Sequence, residues 1–330
     1  MNIGISYDLK ETVLLGKEQP EDALEEYDSS VTIEGLKSAI EAKGHSVVKL
    51  GGGRELLKNV LKEKVDLVFN ISEGLGNYRS REAQVPSVLE MLDIPYSGAD
   101  PQCLAVCLDK NLTKKIVAGE GISTPKWSVI SQSQIKPIDW LSLPYPAFIK
   151  PVWEGSSKGI RLNSLVREPR QMKTSVTALL EKYDQPVLVE EFIRGEEVTV
   201  GMVGNGPPAF VGIMRVVPRQ KDGDFVYSLE VKRDYEKLVD YECPAKLENK
   251  TLQLIKEYSL KAFEVLECRD FARVDYRVKS DGTPYFLEIN PLAGLNPLSS
   301  DLIIMAKLMG ISYNTIIGSI LDAALKRYGY

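Results

Sequence analysis

The chain of 330 residues has one histidine, His45, four cysteines, and no apolar run long enough to cross a bilayer. Each scarcity removes a class of chemistry. With one imidazole, a Ser-His-Asp triad, a His-ligated zinc centre and a His general base would all need the same side chain. His45 sits in AKGHSVVKL, just after a glycine that reads as a helix end, where a capping or exposed ring is the ordinary outcome. Catalysis is left to carboxylates, Lys, Arg and backbone amides. Cys103, Cys107, Cys243 and Cys268 make neither a disulfide framework nor a CxxC pair. With no signal peptide in view, they read as buried free thiols of a reducing cytoplasm, Cys103 and Cys107 sharing one helix face.

Clustered basic residues are also missing. Lys and Arg number 41 against 46 Asp and Glu, a net charge of −5. Neither a nucleic acid nor a membrane surface is an expected partner, and small molecules are. What is present is ordinary globular composition, 44% hydrophobic and 26% charged, in a chain long enough for two domains or three small ones.

The first hundred residues alternate strand and helix. Asn2–Ser6, 46–50 and 66–71 are short apolar runs; between them Ile33, Leu36 and Ile40, then Leu56, Leu57, Val60 and Leu61, recur at helical spacing. This predicts a parallel α/β half-domain over 1–108. Residues 7–27 interrupt it with Glu18, Glu21, Asp22, Glu25 and Glu26, and read as a long loop, either a solvated insertion or a substrate cover. Helices are expected at 81–92, Lys110–Gly119, Pro169–Tyr183, 247–266 and after Ser299, and strands at 126–130, 147–150, 160–163, 187–192, 197–203, 209–217 and 270–278. Strand follows strand in this part, which predicts α+β architecture with antiparallel sheet, divided into a central unit at 109–186 and a C-terminal unit at 187–330.

The chemistry concentrates in CRDFARVDYRVKSDGTPYFLEINPLAGL. Its Asp281-Gly282 marks a hairpin turn. A four-residue loop sets Lys279 against Pro284, Asp275 against Glu288 and Arg273 against Asn290, all four polar groups on one face. Two opposed carboxylates among Val274, Phe286, Leu287 and Ile289 repel strongly, and a divalent cation reverses the sign. Asp, Glu and Asn oxygens suit Mg²⁺ shared with nucleotide phosphates, and Arg273 faces an anion. A second passage, PAFIKPVWEGSSKG, ends a strand at Lys150 and turns through small residues whose amides approach a phosphate closely; it is not a P-loop, since no GxxxxGK[ST] spacing is present. Gly51-Gly52-Gly53 and Gly74-Leu75-Gly76 do not complete GxGxxG. A third, VLVEEFIRGEEVTV, reads equally as a segment that presents backbone groups to an adenine and a carboxylate to a ribose, or as a solvated acidic edge.

Taken in order, Asp109-Lys110 with Thr113-Lys114, IKPVWEGSSKGI, VLVEEFIRGEEVTV, EVKRDYEKLVDYECPA, FARVDY and FLEINPLAGLNPLSS resemble the ATP-grasp superfamily and, within it, the D-alanine–D-alanine ligases. The resemblance runs from about residue 65 to the C-terminus. It implies an ATP-grasp fold behind a Rossmann-like N-terminal domain, a homodimer, and an ATP- and Mg²⁺-dependent ligase that forms a dipeptide-like amide bond. Two Mg²⁺ ions, with Mn²⁺ as a substitute, would sit on Asp275, Glu288 and Asn290. Nucleotide contacts would come from Lys110, Lys150, Glu154, Ser156 and Ser157 of the flap, Glu190, Glu191, Phe192 and Ile193 around adenine, Glu197 at the ribose, and Lys232 at the γ-phosphate. Arg273 and the backbone at Gly294 would stabilise the oxyanion, with Ser156 and Lys232 also in catalytic roles; Ser299 and Ser300 would seat the acceptor.

The chain departs from that family on the substrate side. The acidic motif that grips the first substrate's ammonium is replaced by the 7–27 loop, where only Glu26 or Glu34 offers itself; Arg233 stands where a tyrosine is usual and should favour an additional anion. The His-Gly and Gly-Glu-Asp-Gly segment is replaced by Ser72-Glu73-Gly74 and Ser80-Arg81-Glu82-Ala83. The resemblance implies amino acids as substrates, D-alanine by default, and a different amino acid joined to a small natural-product acid as the alternative.

Overall fold

The computed structural model describes residues 1–12, 19–134, 138–220 and 223–330. Among the described residues twelve strands fall into three sheets. The first is parallel, in the order β2 (Ser46–Gly51), β1 (Asn2–Ser6), β3 (Leu67–Asn70). Helices α1 (Ser30–Glu41) and α2 (Gly53–Lys62) supply the crossovers, and a 3-10 turn at Arg81–Ala83 leads into α3 (Gln84–Met91) and α4 (Pro101–Leu108). Leu56 and Val60 of α2 are buried as their spacing predicts, whereas Leu57 and Leu61 face solvent.

After α5 (Lys110–Gly119), the second sheet carries β4 (Trp127–Ile130), β5 (Ala147–Pro151), β6 (Leu165–Val166) and β7 (Val187–Glu191) in the antiparallel order β4-β7-β5-β6, with α6 (Pro169–Tyr183) joining β6 to β7 and packing on the sheet. The strand expected at 160–163 is not there. Arg161 and Ser164 close a 3-10 turn at Leu162–Ser164 instead, because the Ser164 hydroxyl accepts the Arg161 amide at 2.9 Å and takes the backbone out of the ladder.

The third sheet is antiparallel in the order β10-β9-β8-β11-β12, built from β8 (Glu196–Val203), β9 (Ala209–Pro218), β10 (Val239–Glu242), β11 (Phe271–Val278) and β12 (Pro284–Asn290). Short helices α7 (Leu229–Arg233) and α8 (Tyr235–Leu238) precede β10; α9 (Asn249–Val265), α10 (Asp301–Leu308) and α11 (Tyr313–Arg327) complete the chain.

The C-terminal helices reach back to the first sheet. Ile316, Ile317, Ile320 and Leu321 of α11 share one buried core with Ile33, Leu36 and Ile40 of α1 and with Ile3, Ile5 and Phe69 of the parallel strands. Burying those side chains, at roughly 1.5–3 kcal/mol each, makes the N-terminal domain and the end of the chain one packing unit. Among the described residues no single helix is long and apolar enough to cross a membrane. Cys103, Cys107 and Cys268 meet in the other large core, with sulfur separations of 3.9 Å and 3.7 Å to Cys103, while Cys243 is half-buried apart from them. His45 follows the left-handed turn at Gly44 and stands beside the N-terminal amino group.

Candidate active site

The β11–β12 hairpin sets Arg273 opposite Asn290 and Asp275 opposite Glu288. The turn is one residue longer than expected, so Val278 rather than Lys279 faces Pro284, and a bulge at Leu287 restores the register. All four side chains meet. Arg273 donates to Asp275 from Nη2 at 2.8 Å and from Nε at 3.1 Å; Asn290 Nδ2 reaches Asp275 at 3.3 Å and Glu288 at 3.5 Å. Lys110 Nζ lies 3.3 Å from Glu288. Burial alone would raise the Glu288 carboxyl, but Lys110, Lys150, Arg273 and Lys232 hold it well below the carboxylate range. Two carboxylates and an amide within reach of one another form an all-oxygen donor set that fits Mg²⁺, with Arg273 and Lys110 as their counter-charges.

Behind the hairpin, Glu190 on β7 is clamped between two lysines. Its oxygens lie 2.8 Å from Lys150 Nζ and 2.8 Å from Lys114 Nζ, and all three side chains are buried. Burial pushes Lys114 down to about 8, while Lys150 is raised despite its burial, because Glu190, Glu288 and Glu197 surround it. Glu190 is therefore committed through its carboxylate to positioning Lys150. A cavity of about 710 Å³ opens in front of these groups, lined by Lys150, Ser157, Glu191, Phe192, Ile193, Glu197, Lys232, Asp275 and Glu288 among others. Phe148, Ile193, Val226 and Leu287 give it flat apolar walls. Glu197 accepts from Arg277 at 2.6 Å, and Arg277 lies 4.9 Å from the Phe192 ring centroid. Lys232, near the end of α7, stands over the Tyr227 ring.

The Gly/Ser turn after β5 closes between the cavities. Ser156 and Ser157 both take left-handed conformations, φ 47° and 60°, an arrangement that costs roughly 1–3 kcal/mol per residue and turns successive amides to one side. Ser157 lines the first cavity and Ser156 a second. The acidic segment pins this turn. Glu26 accepts from the Gly155 amide and from Lys158 at 3.0 Å, and Asp22 accepts from the Gly159 amide at 3.0 Å and Tyr183 at 2.8 Å. The described part of residues 7–27 is thus a strap anchored by buried Asp8, Asp22 and Glu26 rather than a freely solvated insertion, although Glu11, Thr12, Gln19 and Glu21 are exposed; Glu18 lies outside the described residues.

The second cavity, about 520 Å³, is lined by Lys110, Glu154, Ser156, Arg273, Glu288, Asn290 and Gly294, with Glu73 and Glu82 from the N-terminal domain. These last two fall in the segments that depart from the family pattern, which was the available signal. Ser299 and Ser300 line neither cavity: Ser300 Oγ accepts the Asn296 amide at 2.8 Å and braces the loop after Gly294. Arg233 also lines neither. Its Nε donates to Glu25 at 3.0 Å, so the anion its charge called for is supplied by the chain's own strap. Glu34 stands exposed on α1, paired with Lys49.

Residues 116–322 match the family model for the D-alanine–D-alanine ligase C-terminus. A D-alanine–D-alanine ligase of Aquifex aeolicus is 34% identical over 320 residues, 95% of this chain and 100% of that one. The chain belongs to the D-alanine–D-alanine ligase family. Within it, similarity extends to an uncharacterized protein, y4sG, of Sinorhizobium fredii, 32% identical over 300 residues, 88% of this chain and 86% of that protein. The ATP-grasp fold is shared with a Bacillus anthracis D-alanine–D-alanine ligase complexed with ATP, TM-score 0.75 at 24% identity, covering 99% and 98% of the two chains. It is shared too with VanG D-Ala:D-Ser ligase of Enterococcus faecalis, TM-score 0.74 at 22% identity, 98% and 99% covered. The family match begins beyond Lys110, so Glu73 and Glu82 lie outside it.

Proposed function

We propose that the protein is an ATP-dependent ligase that joins a carboxylate substrate to an amine through an acyl phosphate. One observation carries the reading: Glu288 lines both cavities, so a nucleotide in the first and a carboxylate in the second would meet at the Asp275–Glu288–Asn290 face. Asp275, Glu288 and Asn290 would hold Mg²⁺, which supplies charge neutralisation at the transferring phosphoryl group.

The remaining work falls to the chain's own groups. Lys150 and Lys232 would bind the phosphates, with Ser157 and the strained turn offering hydroxyls and amides. The apolar walls around Phe192 and Ile193 would take adenine, and Glu197, already oriented by Arg277, the ribose. A carboxylate oxygen attacks the γ-phosphorus and ADP leaves. The amine then adds to the acyl carbon, and the tetrahedral oxyanion collapses with loss of phosphate. Arg273 and the backbone at Gly294 border the second cavity, where that oxyanion would form. The pinned turn excludes water, which would otherwise hydrolyse the acyl phosphate.

D-alanine is the default substrate on family grounds. The Enterococcus relative named for D-serine supports variation of the second amino acid on this fold. Phosphate release from ATP, measured across D- and L-amino acids singly and in pairs, tests the reading. Turnover with D-alanine alone supports the default, turnover only with another pair replaces it, and no amine-dependent turnover defeats the ligase assignment.

A further inference from the structure

Cys103 and Cys107 stand one turn apart on α4, and Cys268, 165 positions beyond Cys103, enters beside them from the segment before β11. Cys103 Sγ lies 3.9 Å from Cys107 Sγ and 3.7 Å from Cys268 Sγ, and the three sulfurs are all within 4.8 Å of one another. The three thiols are free and buried, in one apolar core with Ala99, Leu104, Val117 and Ala272. This cluster is buried without being sealed. Cys107 and Leu108 also line the second cavity, so a small solute in that cavity meets a thiol on its wall.

Three convergent sulfurs are a soft donor set, suited to a thiophilic ion and not to Mg²⁺. Coordination number narrows the choice. Among the described residues no fourth His, Cys, Asp or Glu donor joins the three, so a tetrahedral ion such as Zn²⁺ would lack a protein ligand. Charge narrows it further. A divalent ion on three thiolates leaves a net negative charge in an apolar core, where an unpaired charge is costly. The charges that bear most on these sulfurs are themselves carboxylates, Asp100 on Cys268 and Glu82 on Cys107, and the neighbouring Arg269 is already committed to Asp100. A trivalent ion that fills its shell with three sulfurs gives a neutral complex and needs neither a fourth donor nor a counter-charge.

We propose that Cys103, Cys107 and Cys268 form a capture site for a trivalent thiophilic metalloid, of which arsenite is the simplest, entered from the second cavity. Arsenous acid exchanges its three hydroxyls for three thiols: three As–O bonds break, three As–S bonds form, and each thiol proton leaves with a hydroxyl as water. Arsenic stays trivalent throughout, so neither an oxidant nor a reductant is needed. Cys107 is the first thiol met, and Cys103 and Cys268 close the chelate behind it. Cys243, half-buried elsewhere, takes no part. Nothing in this capture depends on which reaction the cavity supports.

The test titrates the full chain, its thiols reduced, with sodium arsenite. Native mass spectrometry should show one adduct per chain, heavier by one arsenic atom less three hydrogens. The arsenic X-ray absorption spectrum should show three sulfur neighbours and no oxygen, and the melting temperature should rise, because the ion binds the folded chain. Cys103→Ala, Cys107→Ala and Cys268→Ala should each weaken capture about 100-fold or more, since two thiols lose the closure supplied by the third. Cys243→Ala should capture as the wild type does. The wild-type mass and spectrum decide the matter even where a core variant fails to fold. No adduct, an adduct that keeps oxygen on arsenic, capture by the denatured chain alone, undiminished capture in the three core variants, or loss of capture in Cys243→Ala would overturn the proposal. So would Zn²⁺ held by the same three thiols while arsenite is refused.

Discussion

Arg81 Nη2 lies 2.7 Å from both carboxylate oxygens of Glu26, and both side chains are almost wholly buried. Through this pair the N-terminal strap, the flap turn and the 3-10 turn before α3 become one piece. Gly155, Lys158 and Glu154 all attach to it.

Breaking that pair should destabilise the protein. Burial opposes ionisation of Glu26, but Arg81 and Lys158 outweigh it and hold its carboxyl at about 2. A depressed carboxylate contributes stability above its unfolded pKa and loses it as pH falls from about 4.5 towards 2. Glu26→Gln should therefore cost about 3 kcal/mol at pH 7, with much of the difference from wild type gone by about pH 3. Denaturant unfolding at the two pH values measures this; a cost independent of pH would contradict it.

Glu82 should behave in the opposite sense. Its folded carboxyl titrates near 7, raised by burial, with Glu26 and Glu154 adding to the rise and Arg81 and Lys110 opposing it. Stability is full below about pH 4.5 and is lost as pH rises through 7. Glu82→Gln is expected to raise the melting temperature of the ligand-free protein at pH 8, by the equivalent of about 1–3 kcal/mol, and to leave it nearly unchanged at pH 4.5. A destabilised variant at pH 8 would mean that Glu82 has a protein partner.

Lys150→Met should raise the KM for ATP about 10–100-fold, since it removes a phosphate-facing cation and leaves Glu190 with Lys114 alone. Steady-state kinetics with ATP varied is the check. An unchanged KM would place the phosphates elsewhere.

Arg233→Tyr and Glu25→Ala should each raise the KM for ATP, because their ion pair joins the strap to α7, whose Lys232 lines the first cavity. The pair is partly exposed, so the coupling in a double-mutant cycle should be small, about 0.5 kcal/mol. Strictly additive effects would show that the two residues act apart.

The sequence made the hairpin readable because strand side chains alternate, so that a four-residue turn sets Asp275 and Glu288 on one face. The turn itself was misjudged by one residue, since Asp281-Gly282 suits loops of either length, and the Leu287 bulge cancelled the difference. The strap was opaque for another reason: Asp22 and Gly159 are 137 positions apart, and nothing local announces such a bond. Glu73 and Glu82 could be seen as departures from a pattern, but that both border the second cavity is something only the packed structure reveals. Ser300 looked like a substrate ligand from its neighbours in sequence, and its hydroxyl is turned to the Asn296 amide.

The most direct test of the acyl-phosphate account follows an oxygen atom. The carboxylate substrate identified by phosphate release is labelled with ¹⁸O in its carboxyl group and turned over with ATP and the amine, and the released phosphate is weighed by mass spectrometry. One labelled oxygen per phosphate is the predicted result, because the attacking carboxylate oxygen leaves with the phosphoryl group. Unlabelled phosphate would mean that water attacks ATP directly, and would contradict the account.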